Sequence, residues 1–249
     1  MLKSMEFIIK EGKMMKKAIL FDLDGTLWDS SQSVTDSWNV ILGKYPEARL
    51  ITLRDMHGFM GRQMDEIARI IMPDLPNERR ISIMNECMDY EIDYLRKRCG
   101  AVLYPKLRET LEILKRDYEL MIVSNCQDGY IQTFLDFSGL GALFSDFESA
   151  GATGLSKGEN NRLIIERNGV DSAVYVGDTQ GDLNSADFAG IPFIHAGYGF
   201  GETDRETLRI KNFAELPEIL KKFSPIRSDK HREPLYKAVC GNNKKIVFF

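Results

Sequence analysis

Short apolar runs with polar exits alternate with helically spaced apolar residues along the second half of the chain, and this alternation predicts a parallel α/β sheet. The earliest run, Ala18-Ile-Leu-Phe21, is too short for a helix and contains the β-prone Ile19 and Phe21, so it reads as a buried central strand. Leu120–Val123 and Ala173–Val176 read alike, with a short strand near Phe144–Phe147 and Pro192–Ile194 as the last core strand. Helices are expected between them. Pro105 opens one with Leu107, Leu111 and Leu114 on a single face; others cover Tyr130–Phe137, the stretch from Lys157 to Asn168-Gly169, Leu183–Ala189 stopped by Gly190, and Leu216–Phe223.

From Gln32 to Arg98 the pattern is helical throughout. Ile81, Met84, Met88, Ile92 and Leu95 recur at steps of three and four between Pro76 and Arg98, with charged residues over much of the rest, which predicts one amphipathic helix. Shorter helical patterns cover Ser33–Lys44 and Met64–Met72, the second stopped by Pro73. An all-helical insertion, residues 31–99, therefore divides a core made of 14–30 and 100–224. Residues 1–13 read as an N-terminal extension ahead of Met14-Met15, a candidate second translation start, and are assigned no function. Residues 225–249 read as a basic tail whose end, Ile246-Val-Phe-Phe249, is a candidate edge strand or dimer contact.

Composition narrows the class. Apolar content of 43% and charged content of 28% are those of a globular protein, and a net charge of −4 over 249 residues gives no basic footprint for nucleic acid. No apolar run approaches a membrane span, and the N-terminus lacks the order of a secretory signal, so a cytoplasmic location is expected. Cys87, Cys99, Cys126 and Cys240 have no paired spacing for zinc or a redox couple and read as reduced, with Cys126 placed near the site by Asn125. His57, His195 and His231 are too scattered for a metal cluster.

The strand exits carry the candidate chemistry. Asp22 and Asp24 follow one strand, Ser124 and Asn125 another, Asp178 and Asp182 a third, and ligands of open parallel sheets bind outside these carboxyl ends. A polar turn would account for Asp-Leu-Asp-Gly alone, but less easily for three such exits. Alternation puts Asp22 and Asp24 on one face, Gly25 permits a tight turn, and Thr26 adds a hydroxyl. Four aspartates converging on one Lys157 leave a negative site that needs a divalent cation, and all-oxygen ligands select a hard ion, Mg²⁺ before zinc. Gly154, Lys157 and loop amides add donors for an anion. Such a set suits phosphoryl transfer, with one carboxylate as nucleophile and a second, two residues on, exchanging protons.

Asp22-Leu-Asp24-Gly-Thr26-Leu, Ser124-Asn125, Lys157 and Gly177-Asp178-Thr-Gln-Gly-Asp182, in that order, resemble the motifs of the haloacid dehalogenase-like (HAD) hydrolase superfamily from about Lys17 to Gly201. The helical insertion resembles the cap of its phosphoglycolate phosphatase and β-phosphoglucomutase subgroup. The resemblance implies an α/β fold: a doubly wound, Rossmann-like parallel sheet core with an inserted all-helical cap domain. It implies a Mg²⁺-dependent phosphatase acting on a small phosphate monoester, be it phosphoglycolate, a sugar phosphate or a nucleotide. Asp22 would form an aspartyl phosphate, and Asp24 would protonate the leaving oxygen and then activate water. Thr26, Ser124 and Asn125 would hold phosphate or orient Asp24, and Lys157 would neutralise nucleophile and phosphate. The implied metal ligands are Asp22, Asp24 through its carbonyl, and Asp178, with Asp182 acting through water or by orienting Lys157. Two departures stand out: Gly158 follows the lysine where the family often has Pro, and the cap loop Gly61-Arg62-Gln63 has Gln where Pro is common.

Arg62 is the cap candidate for a second anionic group on the substrate, against the plainer reading of a solvated arginine at a helix start. His57 reads as a hinge or surface residue, His195 as a satisfied buried histidine, Trp28 as packing between core and cap, and Met56, Met60, Met64 and Met84 as an adaptable cap core. A phosphomutase of the β-phosphoglucomutase type stays open as an alternative and would need a second phosphate site in the cap. A non-catalytic binding protein stays open too, although no motif residue is missing. Asp24 argues against dehalogenase chemistry, and neither Lys44 nor Lys97 is clearly placed for the Schiff base of a phosphonatase. The expected partner is a small phosphorylated metabolite, with no nucleic acid and no membrane, for a monomer or homodimer.

Overall fold

The computed structural model describes residues 15–60, 62, 64–98 and 101–222. The N-terminal extension, the basic tail with its terminal candidate strand, Gly61, Gln63, Cys99, Phe223, His231 and Cys240 lie outside the described residues.

In chain order, β1 (Lys17–Phe21) and the short β2 (Trp28–Asp29) lead into four helices: α1 (Ser31–Leu42), α2 (Leu53–Phe59), α3 (Met64–Ile71) and α4 (Asn77–Arg98). There follow β3 (Val102–Leu103), α5 (Leu107–Leu114), β4 (Glu119–Ser124), α6 (Tyr130–Ser138), β5 (Phe144–Ser149), α7 (Ala150–Thr153) and α8 (Lys157–Arg167). The chain then forms β6 (Ser172–Gly177), α9 (Gln180–Ala189), β7 (Phe193–Ala196), β8 (Leu208–Ile210) and α10 (Leu216–Lys222).

Six strands make one parallel sheet in the order β5-β4-β1-β6-β7-β8. The chain runs outward from β1 to β5, crosses back, and runs outward again from β6. Its direction reverses between β1 and β6, which is where a doubly wound sheet opens its ligand crevice. Ile19, Phe21, Leu120, Ile122 and Val176 pack on the face covered by α5, α6 and α10, while Leu20, Met121, Val123 and Tyr175 face α8 and α9. Because both faces are buried, the central strands read as uninterrupted apolar runs. The sheet continues one strand beyond the expected last one. Pro192–Ile194 is not the end, since β8 pairs in parallel with β7; with three residues and Arg209 at its middle, β8 gives almost no pattern.

The four helices between β2 and β3 form the cap, with a separate core that includes Trp38, Ile41, Met56, Phe59, Ile71 and Ile83. The outward and return passes are tied together by an antiparallel ribbon, Trp28 opposite Leu103 and Asp29 opposite Val102. No periodicity announced α2, which spans seven residues and is started by a reciprocal capping box between Thr52 and Asp55. The phase of α4 also differs from expectation. Ile81 is 45% exposed, and the buried stripe runs through Met84, Cys87, Glu91 and Leu95. Counting apolar residues alone misplaced that stripe, because a carboxylic acid occupies one of its positions. Among the described residues no helix is long and apolar enough to cross a membrane.

Candidate active site

The carboxyl ends of β1, β4 and β6 bring most of the expected residues together. The Asp22 backbone N–H donates to Val176 O at 2.9 Å, extending the β1 to β6 pairing by one residue and fixing where the Asp22 carboxylate emerges. Lys157, the first residue of α8, donates from Nζ to Asp22 Oδ1 at 2.8 Å and to Asp182 Oδ1 at 2.7 Å. That helix begins with a capping box between Ser156 and Glu159, so its start is secured with Gly158 in place of the family's proline. Asp182 Oδ2 accepts the Thr179 N–H at 2.9 Å and the Thr179 hydroxyl at 2.7 Å. Asp182 therefore caps α9 with one oxygen and orients Lys157 with the other.

Asp178 Oδ2 accepts the Phe200 N–H at 2.7 Å, while its Oδ1 is buried without a partner. A side chain at Gly25 would meet Asp178: a Cβ there would stand 2.1 Å from Oδ2, and the backbone φ of +83° is one that glycine tolerates best. One oxygen each from Asp22, Asp178 and Asp182 can be chosen so that all lie within 4.8 Å of one another. A hard-donor set with an orphaned buried oxygen fits a hard divalent ion such as Mg²⁺. Electrostatics points the same way. Burial, then the charge of Asp182, pushes the Asp22 carboxyl above its ordinary range, and burial does the same to Asp178. Burial opposes the charge of Lys157, but Asp182 and Asp22 outweigh it and hold the ammonium protonated.

The Asp24 carboxylate is not part of that group. Its Oδ1 accepts the Ser30 hydroxyl at 2.5 Å, and the Tyr130 hydroxyl lies 3.0 Å from the same oxygen and 2.8 Å from Ser30 Oγ. Burial raises the Asp24 pKa, and these hydroxyls oppose the rise. Tyr130 stands 106 residues from Asp24 in the chain, and its sequence context marked only the start of a helix.

Asp22, Asp24, Ser124, Asn125 and Lys157 line one pocket, together with Cys126, whose thiol is pushed up by burial. Thr26 is fully buried, its hydroxyl has no partner, and it does not line the pocket. Arg62 is at the cap side, where its Nε donates to Gly58 O at 2.9 Å and its Nη1 to Glu66 at 2.7 Å. His57 joins α2 to the core: its Nε2 is 3.2 Å from Ser31 Oγ, and its ring stacks on Phe200 at 5.1 Å. His195 is buried behind Asp178, with Nε2 at 3.1 Å from Asp178 O and 3.2 Å from Gly201 O. Trp28 packs edge-on against Tyr130 and Phe134. Lys44 and Lys97 pair with Glu86 and Asp93 on the surface, away from the pocket. Glu91, to which no functional signal pointed, is a buried carboxyl in the pocket wall.

The sequence pattern described as haloacid dehalogenase-like hydrolase matches residues 19–196, and the chain belongs to that family. It is similar to the phosphoglycolate phosphatase of Pseudomonas savastanoi pv. phaseolicola, with 24% identity over 196 residues, covering 75% of this chain and 71% of that protein. The phosphoglycolate phosphatase of Mesorhizobium japonicum is 28% identical over 204 residues, covering 77% of this chain and 86% of its own. Among solved structures, a predicted phosphoglycolate phosphatase from Haemophilus somnus superimposes with a TM-score of 0.72 at 23% identity, covering 84% of this chain and 100% of that one. CbbY from Rhodobacter sphaeroides in complex with phosphate gives 0.69 at 18% identity, covering 82% and 96%. At those identities the structures speak for the fold alone.

Proposed function

We propose that this hydrolase is a Mg²⁺-dependent phosphatase that releases phosphate from a small monoester through an aspartyl phosphate on Asp22. The observation that carries the reading is the grip of Lys157 on Asp22 Oδ1 at 2.8 Å at the foot of a pocket that Asp22 and Asp24 both line. The nucleophile is thereby oriented beside an ammonium that stays charged, and a proton-exchanging carboxyl is held separately by Ser30 and Tyr130.

In the first step Ser124, Asn125 and Lys157 hold the phosphoryl oxygens, Asp22 attacks phosphorus, and the bond to the alcohol oxygen breaks as protonated Asp24 gives that oxygen its proton. In the second, Asp24 takes a proton from water as the water oxygen attacks phosphorus, which frees Asp22 and inorganic phosphate. Asp22, Asp178 and the Asp24 carbonyl would hold Mg²⁺, which supplies charge neutralisation at the phosphoryl oxygens. Asp182 acts as a positioning residue through Lys157. Residues 31–99 act as the cap that excludes bulk water and selects the alcohol, over a core of 14–30 and 100–224.

The family and its phosphoglycolate phosphatase relatives support a phosphoric monoester hydrolase. A mutase would hold a second phosphate in the cap, and Arg62, the one cation on the cap side among the described lining residues, is engaged by Glu66 and Gly58. The test is phosphate release from a panel of small monoesters with and without Mg²⁺, for wild type and Asp22→Asn. Metal-dependent turnover lost in the variant supports the reading. Equal turnover in both proteins, or isomerisation of a bisphosphate without release, refutes it.

A further inference from the structure

The surface that would face the leaving alcohol comes from the cap and is mostly apolar, presenting Val34, Met56, Phe59 and Met60 to the pocket. Glu91 stands in this wall at 3% exposure. Its Oε2 accepts the Trp38 indole N–H at 2.5 Å, and no ion pair among the described residues includes it. The Gln127 side chain lies beside the carboxyl without a well-aligned hydrogen bond, its Nε2 being buried and unpartnered. A glutamine at position 91 would meet the need of Trp38 for an acceptor with no ionisable group to desolvate. A carboxyl here is costly as a scaffold and makes sense as a recognition group.

We propose that Glu91 determines which alcohol is accepted: it takes a hydrogen-bond donor, hydroxyl or ammonium, on the leaving group and excludes alcohols that end in a carboxylate. This rests on the phosphatase reading above and deepens it. A second anion entering this pocket would lie against apolar surface and a carboxyl, while Arg62, the one cap cation among the described lining residues, points its Nε and Nη1 to Gly58 and Glu66 at the exposed edge, and burial of an unpaired charge is strongly unfavourable. A hydroxyl can both donate to and accept from the neutral acid, and an ammonium would convert it into the carboxylate partner of an ion pair. Burial holds the free acid at a pKa of about 8, so both forms are within reach near neutrality.

The experiment compares kcat/KM for phosphoethanolamine, glycerol 1-phosphate, propyl phosphate and phosphoglycolate, in wild type and Glu91→Gln. At least one donor-bearing ester is expected to exceed both propyl phosphate and phosphoglycolate by about tenfold or more in the wild type. In Glu91→Gln the preference for phosphoethanolamine over propyl phosphate should fall about tenfold if ammonium is the natural donor. If hydroxyl is, the ammonium ester is poor in both proteins and the preference for glycerol 1-phosphate over propyl phosphate falls by a smaller factor, about threefold, in Glu91→Gln. Phosphoglycolate as the best wild-type substrate, lost on Arg62→Ala, overturns the proposal in favour of an anion site at Arg62. Ratios that do not move in Glu91→Gln also overturn it and leave Glu91 as a support for Trp38. Should Glu91→Gln fail to fold, the wild-type ratios decide the substrate class by themselves. No phosphate from any ester, p-nitrophenyl phosphate included, or equal turnover by Asp22→Asn, refutes the phosphatase reading and takes the inference with it.

Discussion

The two sides of the pocket are built on opposite physical rules. On the core side, carboxylates crowd a buried corner and are restrained one by one: Asp22 by Lys157, Asp182 by Lys157 and Thr179, Asp178 by the Phe200 amide. Asp22 and Asp178 directly follow strands of a sheet buried on both faces, and Lys157 and Asp182 lie in the first turns of helices packed on it, so their spacing is fixed before any ligand arrives. On the cap side, the wall is largely methionine, valine and phenylalanine on helices with their own core, with Arg62 paired to Glu66 at its exposed edge and one buried carboxyl, Glu91, in no ion pair among the described residues. Methionine adapts its shape easily, and the helices join the core through a two-residue ribbon. In the proposed mechanism, bond-making falls to the rigid side and choice of alcohol to the adaptable one.

Removing the proposed nucleophile should separate the two sides most sharply. Asp22→Asn is expected to lower kcat by about three orders of magnitude or more. Its thermal midpoint should hold or rise, because burial and Asp182 already disfavour the charge that the variant removes. Stripping divalent ions with a chelator should abolish phosphate release, with Mg²⁺ restoring it. Asp178→Asn should raise the Mg²⁺ concentration needed for half-maximal rate.

Lys157→Met attacks the restraint itself. It leaves Asp22 and Asp182 buried without a counter-charge, and urea unfolding without added metal should show a loss of about 3–5 kcal/mol. An equal change at Arg62 should cost almost nothing in stability, since its pair with Glu66 is exposed.

A further effect, read in the pH dependence of stability, concerns the cap carboxyl. Burial raises Glu91 from 4.5 to about 8, so the folded chain holds that proton more tightly than the unfolded chain does. Between those values the native state binds more protons, and stability from this group is lost as pH rises from about 5 to 8. Thermal midpoints across that window should fall in the wild type and fall less steeply in Glu91→Gln, the remaining slope coming from Asp22, Asp24 and Asp178, whose pKa values burial also raises. The charge of Asp24 adds to the rise.

How much of this was legible in the chain also divides along the pocket. Apolar runs with acidic exits are local, so Asp22, Asp178 and Asp182 could be placed at strand ends, and motif order linked them to Lys157. Distant hydroxyls were not legible: Tyr130 reaches Asp24 only because α6 starts beside the β1 exit. Thr26, expected to hold phosphate or to orient Asp24, is wholly buried with its hydroxyl unpartnered, a placement that no local pattern announces. Glu91 was hidden by the rule that made the rest readable, since a periodic apolar stripe treats a carboxyl as its gap. The strand β8 and the helix α2 were too short to show a period at all.

The most direct test of the central claim is to trap the covalent intermediate. Wild type and Asp22→Asn would be mixed with a turned-over monoester and Mg²⁺, quenched in acid, reduced with borohydride and mapped by peptide mass spectrometry. Borohydride converts an acyl phosphate to an alcohol, so homoserine is expected at position 22 in the wild type alone. Rapid turnover with reduction at Asp24, or with no reduced aspartate anywhere, would contradict it.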